Sequence, residues 1–465
     1  MSPSKGTSLH LFSSPELVAR SKVALLNLSS FALIVLLSGT WLSGLVLGLY
    51  GVLTYAAAQL IARSEERAVR AGIYYGSLIA HVCGFFFLQQ TGRMGILNGE
   101  NALAPSTLPY LLGFAFYILQ GLTLLGAVYR RLMPPLDLQR HLLALSFFGS
   151  FLAGPLFNQG QLKKLALLDV QLPGLVRIYE NLHFLVGGLL FKFVFAHWLA
   201  RFVRLDEMAS PLLIARSVAA FELQVYFDFA GYSLIAYFLC RSFGLPLYFN
   251  FRHPFAARDI PEFWRRWHVG LGTWFKENLF QPLRAWTQSG LAGKTLIPIL
   301  VFLCSAAWHG PTRNFLAWGL FHGLAFVLAV WVLAPLRKKS WGRFLARAHV
   351  LIVVFYGRLL FMDSDLARLK VKIRRLGMFR EMGQEFLAAL PRSGAELMAF
   401  ASANGSDIII AAAIGALILY EIFWVDPEQE GAYAYFRPGV STLLIFALVL
   451  LFFQPLDRAG FVYGR

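Results

Sequence analysis

Hydrophobic positions along this chain neither alternate nor recur as a single stripe. They form long blocks separated by short basic or polar interruptions, the clearest at residues 23–37, 41–61, 72–88, 108–129, 142–157, 184–200, 212–240, 296–308, 315–333, 350–361, 408–425 and 440–453. Inside hydrocarbon every backbone N–H and C=O needs an internal partner, so an apolar block of about 20 residues predicts a membrane-crossing helix, and a shorter block suffices when flanking groups snorkel. The pattern predicts an all-α integral membrane protein with about eleven transmembrane helices, some too short to span fully. No repeat of fixed period and no long Gly/Ser linker divides the chain, so residues 1–465 read as one membrane domain.

Two interruptions are too polar for lipid-facing helices. Residues 250–281 mix Arg252, Arg258, Arg265, Arg266 and Lys276 with Phe263, Trp264, Trp267, Trp274, Phe275 and Phe280. Rings with one apolar and one wet end suit the membrane interface, which predicts amphipathic or re-entrant helices here. Residues 362–406 place basic positions ahead of a polar stretch and read as an extramembrane loop with a short surface helix.

Composition agrees with a lipid solvent: 57% of residues are hydrophobic and only 14% charged, against about 25% charged in a typical soluble domain. The net charge of +17 raises the question of nucleic acid. The basic residues, however, cluster between apolar blocks (63–70, 130–131, 163–164, 337–347, 368–380), where they orient a membrane protein, so no nucleic-acid partner is expected. Lys5, Arg20 and Lys22 precede the first block without a small-residue cleavage site, which predicts a retained first helix. Cys83, Cys240 and Cys304 lie in apolar blocks without metal spacing and read as reduced thiols.

An ionisable group inside a span costs at least roughly 2.5–3.5 kcal/mol, so such groups are functional candidates. Asp228 shares its apolar block with Glu222. The two are six residues apart, about 600° of helical rotation, so they do not form one paired-carboxylate face. Asp228 reads as a partner for an Arg or a hydrogen-bonding network. His309 is followed by Gly310 and Pro311, which break the helix and would expose the imidazole to a cavity. There it could take a proton from a hydroxyl; the local residues alone favour a hydrogen-bonded core histidine. His322 reads as a packing histidine, His268 as an interfacial helper or a structural hydrogen bond, and Lys192 as a snorkelling cation or a contact to a substrate anion. No H-E-x-x-H or G-x-S-x-G occurs, Gly290–Thr295 is too short for a P-loop, and the G-x-x-x-G at Gly44–Gly48 marks helix packing.

Taken in order, the runs Tyr226-Phe-Asp-Phe-Ala-Gly-Tyr-Ser233, Phe249-Asn-Phe251, Ile260-Pro-Glu-Phe-Trp-Arg-Arg-Trp-His268, Trp308-His-Gly310 and Trp318-Gly-Leu-Phe-His-Gly323 resemble the bacterial membrane-bound O-acyltransferases. The alginate O-acetylation and teichoic acid D-alanyl transfer members are the most similar in these motifs. Leu152-Ala-Gly-Pro155 and residues 187–192 also look like family positions, and the resemblance covers residues 148–361. It implies helices ringed around a thin centre with a tunnel, the catalytic core at 148–361 and further helices at 407–465. It also implies His309 as the catalytic histidine and His268 as the second; Asp228, Arg265, Arg266, Trp308, Asn314, His322 and Lys192 are candidates to support the site or bind substrate, Arg265 and Arg266 by their charge beside the motif.

The implied reaction passes an acyl group, acetyl first, from a cytoplasmic thioester to a hydroxyl of an envelope polysaccharide or a periplasmic partner. No metal is implied and no bound cofactor; the donor would be acetyl-coenzyme A or an acyl carrier protein, and the place the bacterial inner membrane. D-Alanyl transfer to a teichoic acid-like polymer is the alternative, and a transporter of the donor without chemistry is another. Two departures bear on the subfamily: Leu156-Phe-Asn158 replaces Ile-x-Arg, and Leu283-Arg-Ala285 replaces a paired glycine. The terminal Phe461-Val-Tyr-Gly-Arg465 is closer to the alginate type.

Overall fold

The computed structural model describes residues 15–38, 41–97, 113–147, 149, 154–167, 173–245, 247–286, 290–310 and 312–424. The block at 440–453, the terminal tail and Pro311 lie outside them. Every regular element among the described residues is helical. They fall into two compact units, Met1–Asn181 with Ala236–Tyr248, and Leu182–Ile235 with Phe249–Arg465.

The first unit contains α1 (Pro15–Ser38), α2 (Trp41–Arg63), α3 (Arg67–Leu97), α4 (Phe114–Tyr129), α5 (Leu138–Ser146) and α6 (Gln159–Leu167). Buried polar groups here find partners across helices. Tyr117 donates to the Leu47 carbonyl at 2.9 Å, Thr54 Oγ1 pairs with His141 Nε2 at 3.0 Å, and the Gln120 amide bonds both backbone groups of Phe157. The block at 142–157 does not form one span. Asp137 caps α5 through the Arg140 amide, and the helix ends after nine residues.

The greater part of α7 (Leu175–Ala200) and of α8 (Pro211–Ser242) belongs to the second unit. A 3-10 turn at Pro254–Ala256 follows, then α9 (Ile260–Arg266), α10 (Val269–Phe275), a π turn at Lys276–Phe280 and α11 (Gln281–Trp286). The remainder comprises α12 (Leu291–His309), α13 (Arg313–Leu336), α14 (Ser340–Met362), α15 (Leu366–Leu376), α16 (Phe379–Ala388), α17 (Gly394–Ala403) and α18 (Gly405–Trp424). Residues 362–406 thus hold three helices, not one.

Among the described residues, five helices are long and apolar enough to cross a membrane: Gly44–Arg63, Leu175–Ala200, Pro211–Ser242, Arg313–Leu336 and Ser340–Met362. The pair Gly394–Ala403 and Asp407–Phe423, bent by 89°, makes six if counted as one span. Phe114–Tyr129 and Gly293–His309 are apolar but shorter. At about 1.5 Å rise per residue such helices fall short of a hydrocarbon layer about 30 Å thick. The expected eleven spans are therefore not reached among the described residues.

Small residues set one close helix contact that matters for the site. A Cβ on Gly188 in α7 would lie 2.7 Å from the Gly231 carbonyl oxygen in α8, and one on Gly231 would lie 2.7 Å from the Gly188 carbonyl oxygen. Backbone meets backbone there, and any side chain would push the helices apart.

Candidate functional site

The hydrogen-bonded run of α12 ends at His309 and Gly310 caps it, so the break read from Gly310 falls where the chain turns into α13. The two helices pack along their length. His309 is half-buried inside an aromatic shell. Its ring lies 4.7 Å from Trp308, 5.0 Å from Phe361, 5.7 Å from Trp318 and 5.9 Å from Phe315, centroid to centroid. Such a shell orients the imidazole by ring packing.

His322, four residues past Trp318 and so on the same helical face, also packs on the Trp318 ring, at 4.9 Å. Trp264 from α9 closes on it edge-to-face at 5.0 Å. Its Nδ1 is buried and makes no hydrogen bond to any described residue. Gly357 in α14 leaves room for the ring: a Cβ there would lie 2.2 Å from His322 Nε2. Asn314 is buried and donates to the Leu360 carbonyl at 3.3 Å, tying α13 to α14.

The second histidine sits on the polar, aromatic segment. His268 lies between α9 and α10 in the left-handed region, φ 47°, and its Nδ1 accepts the Leu271 amide at 3.4 Å, capping α10. Asn250 holds this corner: its carbonyl accepts the Val269 amide, its Oδ1 accepts the Gly270 amide, and its Nδ2 donates to Ser233 in α8. The His268 ring meets Phe229 edge-on at 4.6 Å and lies within electrostatic reach of His309. A left-handed residue held at a buried corner is a costly conformation, and such conformations cluster at functional sites.

The supporting residues separate into groups. Arg266 is buried and fully engaged, donating to Glu262 Oε1 and to the Arg252 carbonyl, whereas neighbouring Arg265 is exposed. Lys192, within the π-helical turn Leu190–Ala196, pairs with Asp228 at 2.5 Å, so two residues read separately along the chain form one ion pair across the Gly188–Gly231 contact. Glu222, the other acid of α8, pairs instead with Arg358 of α14.

Two further charged groups escaped the motif reading. Arg358 pairs with Glu222 of α8 and is close enough to act electrostatically on both His309 and His322. Glu421 of α18 is 1% exposed; it accepts from Tyr226 at 2.6 Å and lies 3.4 Å from His253 Nδ1. Each is an ionisable residue in an apolar run, and that signal alone could have found them.

A model of the membrane-bound O-acyltransferase family matches residues 105–367, more than half of the chain, and spans every candidate above except Glu421. The chain is 34% identical over 192 residues to a peptidoglycan O-acetyltransferase of Helicobacter pylori, covering 39% of this chain and 36% of that protein. It is 24% identical over 274 residues to a teichoic acid D-alanyltransferase of Bacillus subtilis, covering 56% and 68%. It is 28% identical over 224 residues to a probable alginate O-acetylase of Pseudomonas syringae, covering 48% and 41%. The matches span from about a third to about two thirds of these relatives' length.

Proposed function

From the premise that this chain belongs to the membrane-bound O-acyltransferase family, we propose that it is an enzyme passing an acyl group, acetyl in the first instance, to a hydroxyl of an envelope polysaccharide. The observation that carries this reading is the half-buried His309 at the α12–α13 break, ringed by aromatic groups and within reach of His268. His309 acts as general base: it takes the acceptor hydroxyl proton as the oxygen attacks the acyl carbon, then returns it to the leaving group. His268, its Nδ1 engaged by the Leu271 amide, is the supporting histidine of the site. A thioester donor from acetyl-coenzyme A or a carrier protein on the cytoplasmic side supplies the acyl group. Exposed Arg265 steers its anionic part, since the donors of Arg266 are committed to Glu262 and Arg252. The protein works in the bacterial inner membrane, with a polymer or a periplasmic transferase as acceptor.

A second reading, D-alanyl transfer, is favoured by one observation: the Bacillus subtilis relative aligns over 68% of its own length. One experiment separates these readings and tests the first. Base-labile esters are released from the envelope of cells carrying parent or H309A protein, and the released acid is identified by mass. Acetate or D-alanine names the acyl group, and H309A should lose about 10²–10⁴-fold of it while still inserting in the membrane. Parental ester content in H309A would instead support a transporter that moves the donor without chemistry.

A further inference from the structure

Arg358 is a cation inside the Ser340–Met362 span, its side chain only 10% exposed. Its Nε donates to Glu222 Oε2, while its two terminal nitrogens make no hydrogen bond to any described residue. A buried guanidinium is stable when its planar fork is satisfied, normally by two parallel bonds to one carboxylate. Here the carboxylate takes the Nε only, and Glu222 Oε1 is itself left buried without a partner among the described residues. The rings of Phe361, Trp267 and Phe221, at 5.3, 5.4 and 5.8 Å, hold the guanidinium without using its donors. Phe361 is the same ring that packs on His309 at 5.0 Å. The terminal N–H donors, without a partner among the described residues, thus lie beside the candidate base.

We propose that Arg358 binds the acyl carbonyl oxygen and stabilises the oxyanion of acyl transfer, an inference that rests on the acyl-transfer reading of His309. When the acceptor oxygen bonds to the acyl carbon, its proton passes to His309 and the carbonyl electron pair moves onto oxygen. When the tetrahedral species collapses, that pair re-forms the carbonyl, the leaving group departs with its bonding electrons, and His309 gives it the proton. Negative charge exists on the oxygen only between these events, so fixed donors there favour the transition state over the bound substrate. Glu222 has a matching part. An unneutralised Arg358 would oppose the imidazolium that forms on His309; one carboxylate contact offsets that repulsion while leaving the terminal donors unoccupied.

The test uses the full-length protein in its host membrane, reading envelope ester per unit of inserted protein, with melting in detergent as the measure of folding. R358Q should lower ester formation by about 100-fold or more. The neutral double variant E222Q/R358Q should melt closer to the parent than R358Q does, because no buried charge is left alone, yet stay about as inactive as R358Q. R358K, which keeps the charge but not the fork, should fall about tenfold. Activity of the double variant within about threefold of the parent would overturn the proposal, because the pair would then serve only to hold α8 against α14. If neither glutamine variant accumulates, R358K decides, and unchanged activity in it overturns the proposal. Parental ester content in H309A would overturn the underlying reading instead, a separate outcome.

Discussion

Removing the Lys192 ammonium should be among the most damaging single changes to this protein, and the structure says why the damage is reversible by a second change. Lys192 Nζ lies 2.5 Å from Asp228 Oδ1, with the two side chains 15% and 9% exposed. Asp228 Oδ2 is buried and makes no hydrogen bond to any described residue, so the ammonium is its counter-charge in this contact. K192M keeps the length of the side chain and deletes the charge, leaving a carboxylate in the α7–α8 contact. The backbone contact at Gly188 and Gly231 keeps the helices too close for water to enter freely. Breaking a buried pair in this way costs about 3–5 kcal/mol. D228N should cost less, because the orphaned ammonium ends a flexible stem at the more exposed side and can snorkel. K192M/D228N carries no buried charge and should recover most of the loss, giving a coupling energy of about 2 kcal/mol or more. The assay is unfolding of purified full-length protein by rising SDS in mixed micelles, for the parent, both single variants and the double. Coupling below about 0.5 kcal/mol, or D228N more harmful than K192M, would refute the reasoning.

Two further predictions test other parts of the site. G357A should destabilise by about 1–3 kcal/mol, because its Cβ would fall 2.2 Å from His322 Nε2 and the ring is wedged by Trp264, Trp318 and Phe302; unchanged melting would mean that the ring swings freely. At the α14–α15 corner, burial would raise the Asp363 carboxyl, but hydrogen bonds from Arg368, Lys372 and the Asp365 amide outweigh it and hold the carboxyl below the usual carboxylate range. Stability from this corner is therefore fully present above the unfolded value of about 3.9 and drains as pH falls through the lower folded value. D363N should melt below the parent at pH 7, and the difference should close as the pH drops below about 4; a difference unchanged from pH 8 to pH 3 would sink the assignment.

Hydrophobic blocks were legible to within a few residues where charge did not interrupt them. The blocks at 41–61, 212–240 and 315–333 became Trp41–Arg63, Pro211–Ser242 and Arg313–Leu336. The block at 350–361 showed only the second half of Ser340–Met362, because Arg343, Arg347 and His349 mask an amphipathic first half whose apolar side still packs. The block at 142–157 misled in the other direction: continuous hydrophobicity does not reveal that α5 ends after nine residues.

By itself, the chain determined its solvent, its helical class, its kinship with the acyltransferases and the position of the break after His309. Each follows from properties of contiguous residues: hydropathy, the lack of charge, and a Gly-Pro pair that cannot continue a helix. Tertiary structure decided which distant charges share a partner. Glu222 and Asp228 lie on one helix yet face different cations, Arg358 on α14 and Lys192 on α7, and neither pairing is written in any local spacing. It also brought His268 and His322 to the neighbourhood of His309 and set Arg358 close to them, its terminal donors without a hydrogen bond among the described residues. Burial is a property of the packed bundle, and only packing shows whether a charge in an apolar run is neutralised, hydrogen-bonded or left available for a substrate.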